Sequence, residues 1–491
     1  MIKNIIFLLL AASVLISCEK KAKKAEYYPK NIILMISDGC GENHILATNY
    51  FIDGEAESQP YQQFDVKLFM STYPAITSKV QGNNDIKNYN TGYSSEPVWT
   101  DYKYVMQGYT GSSAAATAMY TGKKTAMLSV SVALDSSNLK TIADRAFELG
   151  KSIGVVSSVQ YSHATPACLG AHNINRQNYV QIANEMIIDS KLSVIMGCGN
   201  PYYNGNAELS DTVIESAYTG GIGTWNNLKN GVITFDSTTV NGNNIVQDID
   251  GDEKPDPWIL INDSMDFVNL ADGKTPKRVI GIPNVNLTLQ VARRIDERVE
   301  GTLPFEFANN KNVPLLEDMT KAALNILDNN KNGFLVMIEG GAIDWAAHAN
   351  VIERVIEEEN DFNNSVKAVM QWVEENSNWD ETLLIVTADH ETGYLVGPDF
   401  PGEDMINNFN VTNNGKGKLP GYKFLSGSHT NHLVPLYAKG AGSELFKRYA
   451  DEVDYNNGDY INNTEIAQTV FTLWDGYENA KPNIEKSQLI K

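Results

Sequence analysis

The chain has 491 residues, with 39 Lys and Arg against 60 Asp and Glu and a formal net charge of −21. That excess of carboxylates argues against a nucleic-acid groove, which needs clustered cations to neutralise phosphates. With 42% apolar and 20% charged residues the chain buries a core, and at roughly 150 residues per domain its length fits about three domains or one large α/β unit with insertions.

At the N-terminus an apolar run from Ile5 to Ile16, broken only by Ser13, leads into Ser17-Cys18. The run is shorter than the roughly 20 residues of a spanning helix and reads as an export signal over residues 1–17. Leu15-Ile16-Ser17-Cys18 resembles a bacterial lipobox. Cleavage before Cys18 and lipid on its thiol are therefore expected, placing the protein in the periplasm or at the cell surface, in the outer membrane if the cell is Gram-negative. Residues 18–28, with Lys20, Lys21, Lys23 and Lys24, read as a solvated tether. Maturation leaves Cys40, Cys168 and Cys198, an odd number at uneven spacings that defines no disulfide framework.

From residue 29 onward, Val/Ile/Leu-rich runs bounded by Gly, Asp or Asn predict buried strands at Asn31–Ser37, Ser152–Ser158, Phe334–Ile338 and Leu383–Thr387. Apolar residues at three- and four-residue steps predict helices at Thr141–Leu149 and Leu315–Leu327, and Asn463 introduces a late helix over Thr464–Leu473. Strands alternating with helices imply an α/β fold, a three-layer α/β/α sandwich around a mainly parallel sheet. Residues 29–480 form one unit, with a Gly/Asn-rich insertion at about 200–310.

Chemistry-bearing residues follow the strands. Asp38, Glu339 and Asp389-His390 each come at a strand end, so their side chains are expected to converge on the carboxyl edge of the sheet. Four of the seven histidines, His348, His390, His429 and His432, fall between positions 348 and 432. Asp344 and His348, four apart on a predicted helix, share a face and can grip one ion, although alone such a pair serves equally as a surface hydrogen bond. Massed carboxylates repel unless cations hold them; imidazole plus carboxylate suits zinc and oxygen-only sets suit magnesium. A polynuclear metal hydrolase follows. Thr110-Gly111-Ser112-Ser113 before an Ala-rich helix start supplies a candidate nucleophile and backbone N–H groups for an anion. Separately, Asp248, Asp250, Asp252 and Asp256 partly match a calcium-loop spacing, but Ile259 stands where the bidentate Glu belongs, and a solvated acidic turn is the competing reading.

These segments together resemble the alkaline phosphatase family. The resemblance rests on Asn31–Gly39, Gly111–Ala118 followed by Thr121-Gly122, His163-Ala-Thr165-Pro-Ala167, Glu339–His348, Thr387–His390 and His429–Pro435, in family order from about residue 29 to about 475. It implies two Zn2+ and one Mg2+ per chain. Asp344, His348 and His429 would hold the first zinc and Asp38, Asp389 and His390 the second; Thr165, Glu339 and the other oxygen of Asp38 would hold magnesium. Ser112 would be the nucleophile, forming a phosphoserine intermediate, and Arg176 the phosphate clamp, acting on small phosphate monoesters in a homodimer.

Several positions depart from the best-known bacterial pattern. Gly111 stands where an Asp usually holds the arginine, so Arg176 is expected to be looser. His163 and Trp345 stand for Asp and Lys, which removes a lysine contact to phosphate. His432, three residues beyond His429, is expected behind the ligands or at the substrate rim. A phosphodiesterase or sulfatase of the same superfamily and a phosphate-binding lipoprotein without catalysis are the competing readings. A Ser nucleophile with a full three-metal ligand set favours the monoesterase, because a third cation offsets the charge of a dianionic monoester.

Overall fold

In the computed structural model of the chain, residues 29–75, 92–189, 191–231, 249, 254, 256–299 and 301–476 are described. Asn31–Ser37 (β1) is buried at every position, as a strand covered on both faces requires. Ten further strands join it: Val66–Ser71 (β2), Ser152–Gln160 (β3), Val194–Cys198 (β4), Ile259–Ile261 (β5), Val279–Gly281 (β6), Phe334–Gly340 (β7), Thr382–Thr387 (β8), Val434–Gly440 (β9), Glu452–Asp454 (β10) and Gly458–Asn462 (β11). Their order across the sheet is β10-β11-β2-β9-β8-β1-β7-β3-β4-β6-β5.

From β8 to β5 every pairing is parallel. β9 runs against both β2 and β8. Its Pro435 is tolerated because pairing with β8 begins only at Leu436, so the missing N–H falls at the strand start. The four strands expected from the sequence are present, β3 and β7 each running two residues further. The Gly/Asn-rich stretch is not loop throughout, since β5 and β6 lengthen the sheet beyond β4.

Helices cover both faces. Ser112–Thr121 (α1), Ile142–Glu148 (α2), Ala164–Gly170 (α3) and Thr464–Asp475 (α7) pack together on one side, while Leu316–Leu327 (α4) and Ile352–Asn376 (α6) pack on each other, with α4 against β3 and β4. The short helix Ala342–His348 (α5) leads from β7 into α6. Thr141 caps α2 by accepting from the Asp144 N–H, which ends the unpaired-donor problem of the first turn. α4 buries Leu316, Met319, Ala323, Leu324, Ile326 and Leu327 along one stripe, as its periodicity predicts. α6 behaves differently, since it also buries Glu353, Arg354, Glu357, Glu358 and Glu359. Glu357 accepts from Arg293 at 2.8 Å and Arg354 at 2.7 Å, fastening the segment that carries Arg293 onto the helix.

Candidate active site

Register builds the site. Ile36 of β1 pairs with Glu339 on β7 and with Thr387 on β8, so three strands end together at one edge. Immediately beyond, Gly39 adopts φ +75°, and a Cβ there would stand 2.8 Å from Asp344 Cα. Only glycine allows this approach, which presses Asp38 and the start of α5 together. Asp38, Asp389, His390, Glu339, Thr165 and Ser112 are all buried. Burial together with the neighbouring Asp389, Asp344 and Glu339 carboxylates raises the Asp38 pKa well above the carboxylate range. Burial likewise pushes Asp389 and Glu339 up to about 7.

Asp344, His348 and His429 form one group. His348 Nδ1 donates to the Gly427 carbonyl at 2.8 Å and His429 Nδ1 to the Thr110 carbonyl at 2.7 Å. A carbonyl can only accept, so each Nδ1 carries a proton and each ring turns its Nε2 towards the other. Those two Nε2 atoms face each other at 3.0 Å, with Asp344 Oδ1 at 3.4 and 3.5 Å. Two imidazole nitrogens and a carboxylate oxygen so gathered could hold one metal ion.

The second group repeats the logic. Thr392 Oγ1 donates to Asp344 Oδ1 at 2.6 Å and therefore accepts from His390 Nδ1 at 3.3 Å, which leaves a lone pair on His390 Nε2. That atom lies 3.1 Å from Asp389 Oδ2, 3.5 Å from Asp38 Oδ1 and 3.2 Å from Ser112 Oγ. Neither Asp38 Oδ1 nor Asp389 Oδ2 receives a hydrogen bond, although both are buried. Glu339 accepts from Ser157 Oγ. Thr165 Oγ1 is buried without a partner. The donors around His348 and His429 and around His390 fit metal ions. Ser112 opens α1 behind Gly111, so its hydroxyl lies at the positive end of a ten-residue helix. Ser113 Oγ points away, to the Met127 carbonyl.

Arg176 is held by a residue other than the one whose absence the sequence stresses. Its Nη2 donates to His163 Nδ1 at 3.1 Å, which fixes the imidazole proton on Nε2. Burial and the guanidinium both depress the His163 pKa well below its ordinary value, so the ring stays an acceptor. The His163 ring lies between Tyr179, stacked at 5.9 Å, and Trp345, tilted at 5.6 Å. His163 thus supplies Arg176 with a contact that Gly111 cannot.

His432 does not sit at the rim. Its ring is buried among Phe409, Tyr394 and Trp99, with centroids at 5.0, 5.2 and 6.1 Å. Of the acidic loop, Asp248, Asp250 and Asp252 lie outside the described residues. Asp256 is ion-paired with Lys277 at 3.2 Å and accepts from the Ile249 N–H. Thr392 and Ser157 escape sequence reasoning because a hydroxyl that orients a ligand has no motif. The available signal is only that Thr392 stands two residues after His390.

An α/β/α sandwich that gathers carboxylates, imidazoles and a helix-start serine on one sheet edge defines a metal-dependent hydrolase. The alkaline phosphatase family model matches residues 29–469, and the chain belongs to that family of phosphomonoesterases. It is 25% identical to alkaline phosphatase 3 of Bacillus subtilis over 93% of this chain and 91% of that one. Against Escherichia coli alkaline phosphatase the identity is 26%, over 75% of this chain and 72% of that one. The solved alkaline phosphatase of the Antarctic bacterium TAB5 shares the fold with a TM-score of 0.57 at 23% identity, covering 91% of this chain and 98% of that one.

Proposed function

We propose that the chain hydrolyses phosphate monoesters through a phosphoserine on Ser112. Asp344, His348 and His429 would hold one zinc, Asp38, Asp389 and His390 a second, and Thr165, Glu339 and the remaining Asp38 oxygen a magnesium. Bound there, the ions would supply positive charge for the leaving oxygen and acidify the Ser112 hydroxyl. The observation that carries the reading is the pair of Nε2 atoms on His348 and His429 facing each other beside Asp344.

The chain's own residues then act in sequence. Arg176, steadied by His163, forks onto two non-bridging oxygens of the ester and fixes its approach. Ser112 Oγ attacks phosphorus in line while the alcohol departs on the opposite side, and the N-terminal dipole of α1 stabilises the added charge. Water then attacks the phosphoserine from the vacated side, restoring Ser112 and releasing phosphate. Side-by-side turnover of an aryl phosphate, a bis-aryl phosphate and an aryl sulfate, with metal analysis of the same sample, tests this. Preference for the diester or the sulfate would overturn the monoesterase reading, and phosphate binding without turnover would leave a binding protein.

The N-terminal expectations join the proposal: residues 1–28 lie outside the described residues, and we infer cleavage before Cys18 with lipid on it, in a homodimer. Cys18→Ser should move the protein to the aqueous phase of a detergent partition. A wild-type protein found there with unmodified Cys18 would remove the anchor.

A further inference from the structure

A cavity of about 430 Å3 shares Trp345 with the surroundings of the centre, within the roughly 300–1,000 Å3 of small-molecule sites. Leu287, Val291, Ala292, Ile295, Trp345 and Ala346 give it apolar walls. Two of these large side chains face solvent at its mouth, Leu287 at 38% and Ile295 at 56% exposure, an arrangement that singles out a surface for a ligand when it borders a concavity. The three arginines that line it are already engaged, Arg294 with Glu297, Arg298 with Glu353 and Arg354 with Glu357. Asp296 lines it too and repels an acidic group, so the apolar walls decide the occupant.

Trp345 ties this cavity to the chemistry. It follows Asp344 on α5, about 100° further round the helix, with Ala346 about 200° round. Asp344 and His348 thus share one face of α5, Ala346 walls the cavity from the far side, and Trp345 stands between the two. The Trp345 ring touches His163, and His163 holds Arg176. A phosphate on Arg176 therefore lies a short aromatic relay from an empty apolar chamber. We propose that this cavity receives the organic group of the substrate, and that the enzyme prefers phosphate monoesters of alcohols carrying an apolar or aromatic group. The proposal rests on the phosphomonoesterase reading of the centre.

The test compares two alkyl phosphates whose leaving alcohols have matched acidity, 2-(2-naphthyl)ethyl phosphate and n-propyl phosphate, so that chemistry at phosphorus is the same. Wild-type enzyme should favour the naphthyl ester in kcat/KM by about ten-fold or more, the scale for an added apolar group in a pocket, with the gain in KM. Ala292→Phe, which fills the chamber, and Leu287→Asp, which charges its exposed wall, should each abolish the preference while changing propyl phosphate turnover by less than about two-fold. Equal kcat/KM for both esters in wild type, or equal losses for both in the folded variants, would overturn the proposal. Binding of 2-(2-naphthyl)ethanol, read by tryptophan fluorescence, supplies an arm independent of turnover: it should saturate in wild type and vanish in Ala292→Phe. If neither ester is hydrolysed, the phosphomonoesterase reading fails, and alcohol binding still decides the cavity.

Discussion

His163 shows how one side chain changes the reading of another. With Gly111 before the nucleophile, the clamp has no adjacent carboxylate, yet Arg176 donates to an imidazole that burial, and then the guanidinium charge, keep neutral. His163→Ala should therefore weaken inhibition by inorganic phosphate and raise KM by about ten-fold, the worth of a lost hydrogen bond to a charged group. A Cβ on Gly111 meets only Met127 Cε, at 3.5 Å, and its φ of −107° suits any residue, so an aspartate fits there. Gly111→Asp should do little in the wild type and restore phosphate affinity in the His163→Ala background. Equal effects in both backgrounds would show that the two residues do not share the arginine. For the nucleophile, Ser112→Ala should abolish turnover, a loss on the order of a thousand-fold or more, and leave metal content intact. Ser113→Ala, whose hydroxyl is spent on Met127, should stay active. The reverse pattern would shift the loop register by one. The ligand types were legible in the sequence, but their protonation was not: it is set by the carbonyls of Thr110 and Gly427, which any residue could present.

α6 is the element the sequence disguises. Its run Glu357-Glu358-Glu359-Asn360-Asp361 looks like a solvated face, yet burial pushes Glu358 up to about 8 and Glu359 and Asp361 up to about 7. Glu359 accepts from Ser37 Oγ at 2.6 Å, so a charge-rich helix touches the strand that delivers Asp38. Folded pKa values raised above the unfolded ones mean that the native state binds more protons. Stability is then full below about pH 4.5 and falls as pH rises towards about 8, the window set by these groups. Glu358→Gln, neutral at every pH, should flatten that decline and raise the melting temperature at pH 9, by roughly 1 kcal/mol or more of stability. Parallel melting curves at pH 5, 7 and 9 check it, and an unchanged slope would show Glu358 ionised in the fold. β9 escaped for a different reason, since Pro435 in Val434–Gly440 argues against a central strand unless one side of its start is unpaired.

At the scale of the molecule, the continuous apolar runs of β1, β3, β7 and β8 betrayed the buried centre of the sheet. β2 and β4 did not stand out: β2 is partly solvated, and β4 is a five-residue run, VIMGC. The site was legible as a list because its residues follow strand ends, whereas its geometry depends on which strands are neighbours. Convergence of acceptors from separate segments makes the fold depend on what fills the centre. Chelation should lower the melting temperature, and zinc with magnesium should restore it in a concentration-dependent way, since a ligand bound only by the native state adds stability as RT ln(1 + [L]/Kd). A melting point indifferent to chelator would mean that the carboxylates hold together without cations, as protonated acids.

The placement of β1 has a consequence for how the protein is made. Asn31 bonds to Thr382 of β8, 351 positions later in the chain. Its other neighbour, β7, comes earlier, with Leu335 opposite Ile32, so at about 5–20 residues per second of synthesis β1 waits on the order of 15–60 s for its first flanking partner and longer for β8. During that interval NIILMIS is an unpaired strand with five consecutive apolar residues, the kind of segment that recruits other chains. His429, which completes the first ligand group, arrives later still. The nascent chain is thus at its most aggregation-prone before it has any means of binding the ions that would lock it, and its yield should follow the supply of a holding chaperone more closely than the supply of metal.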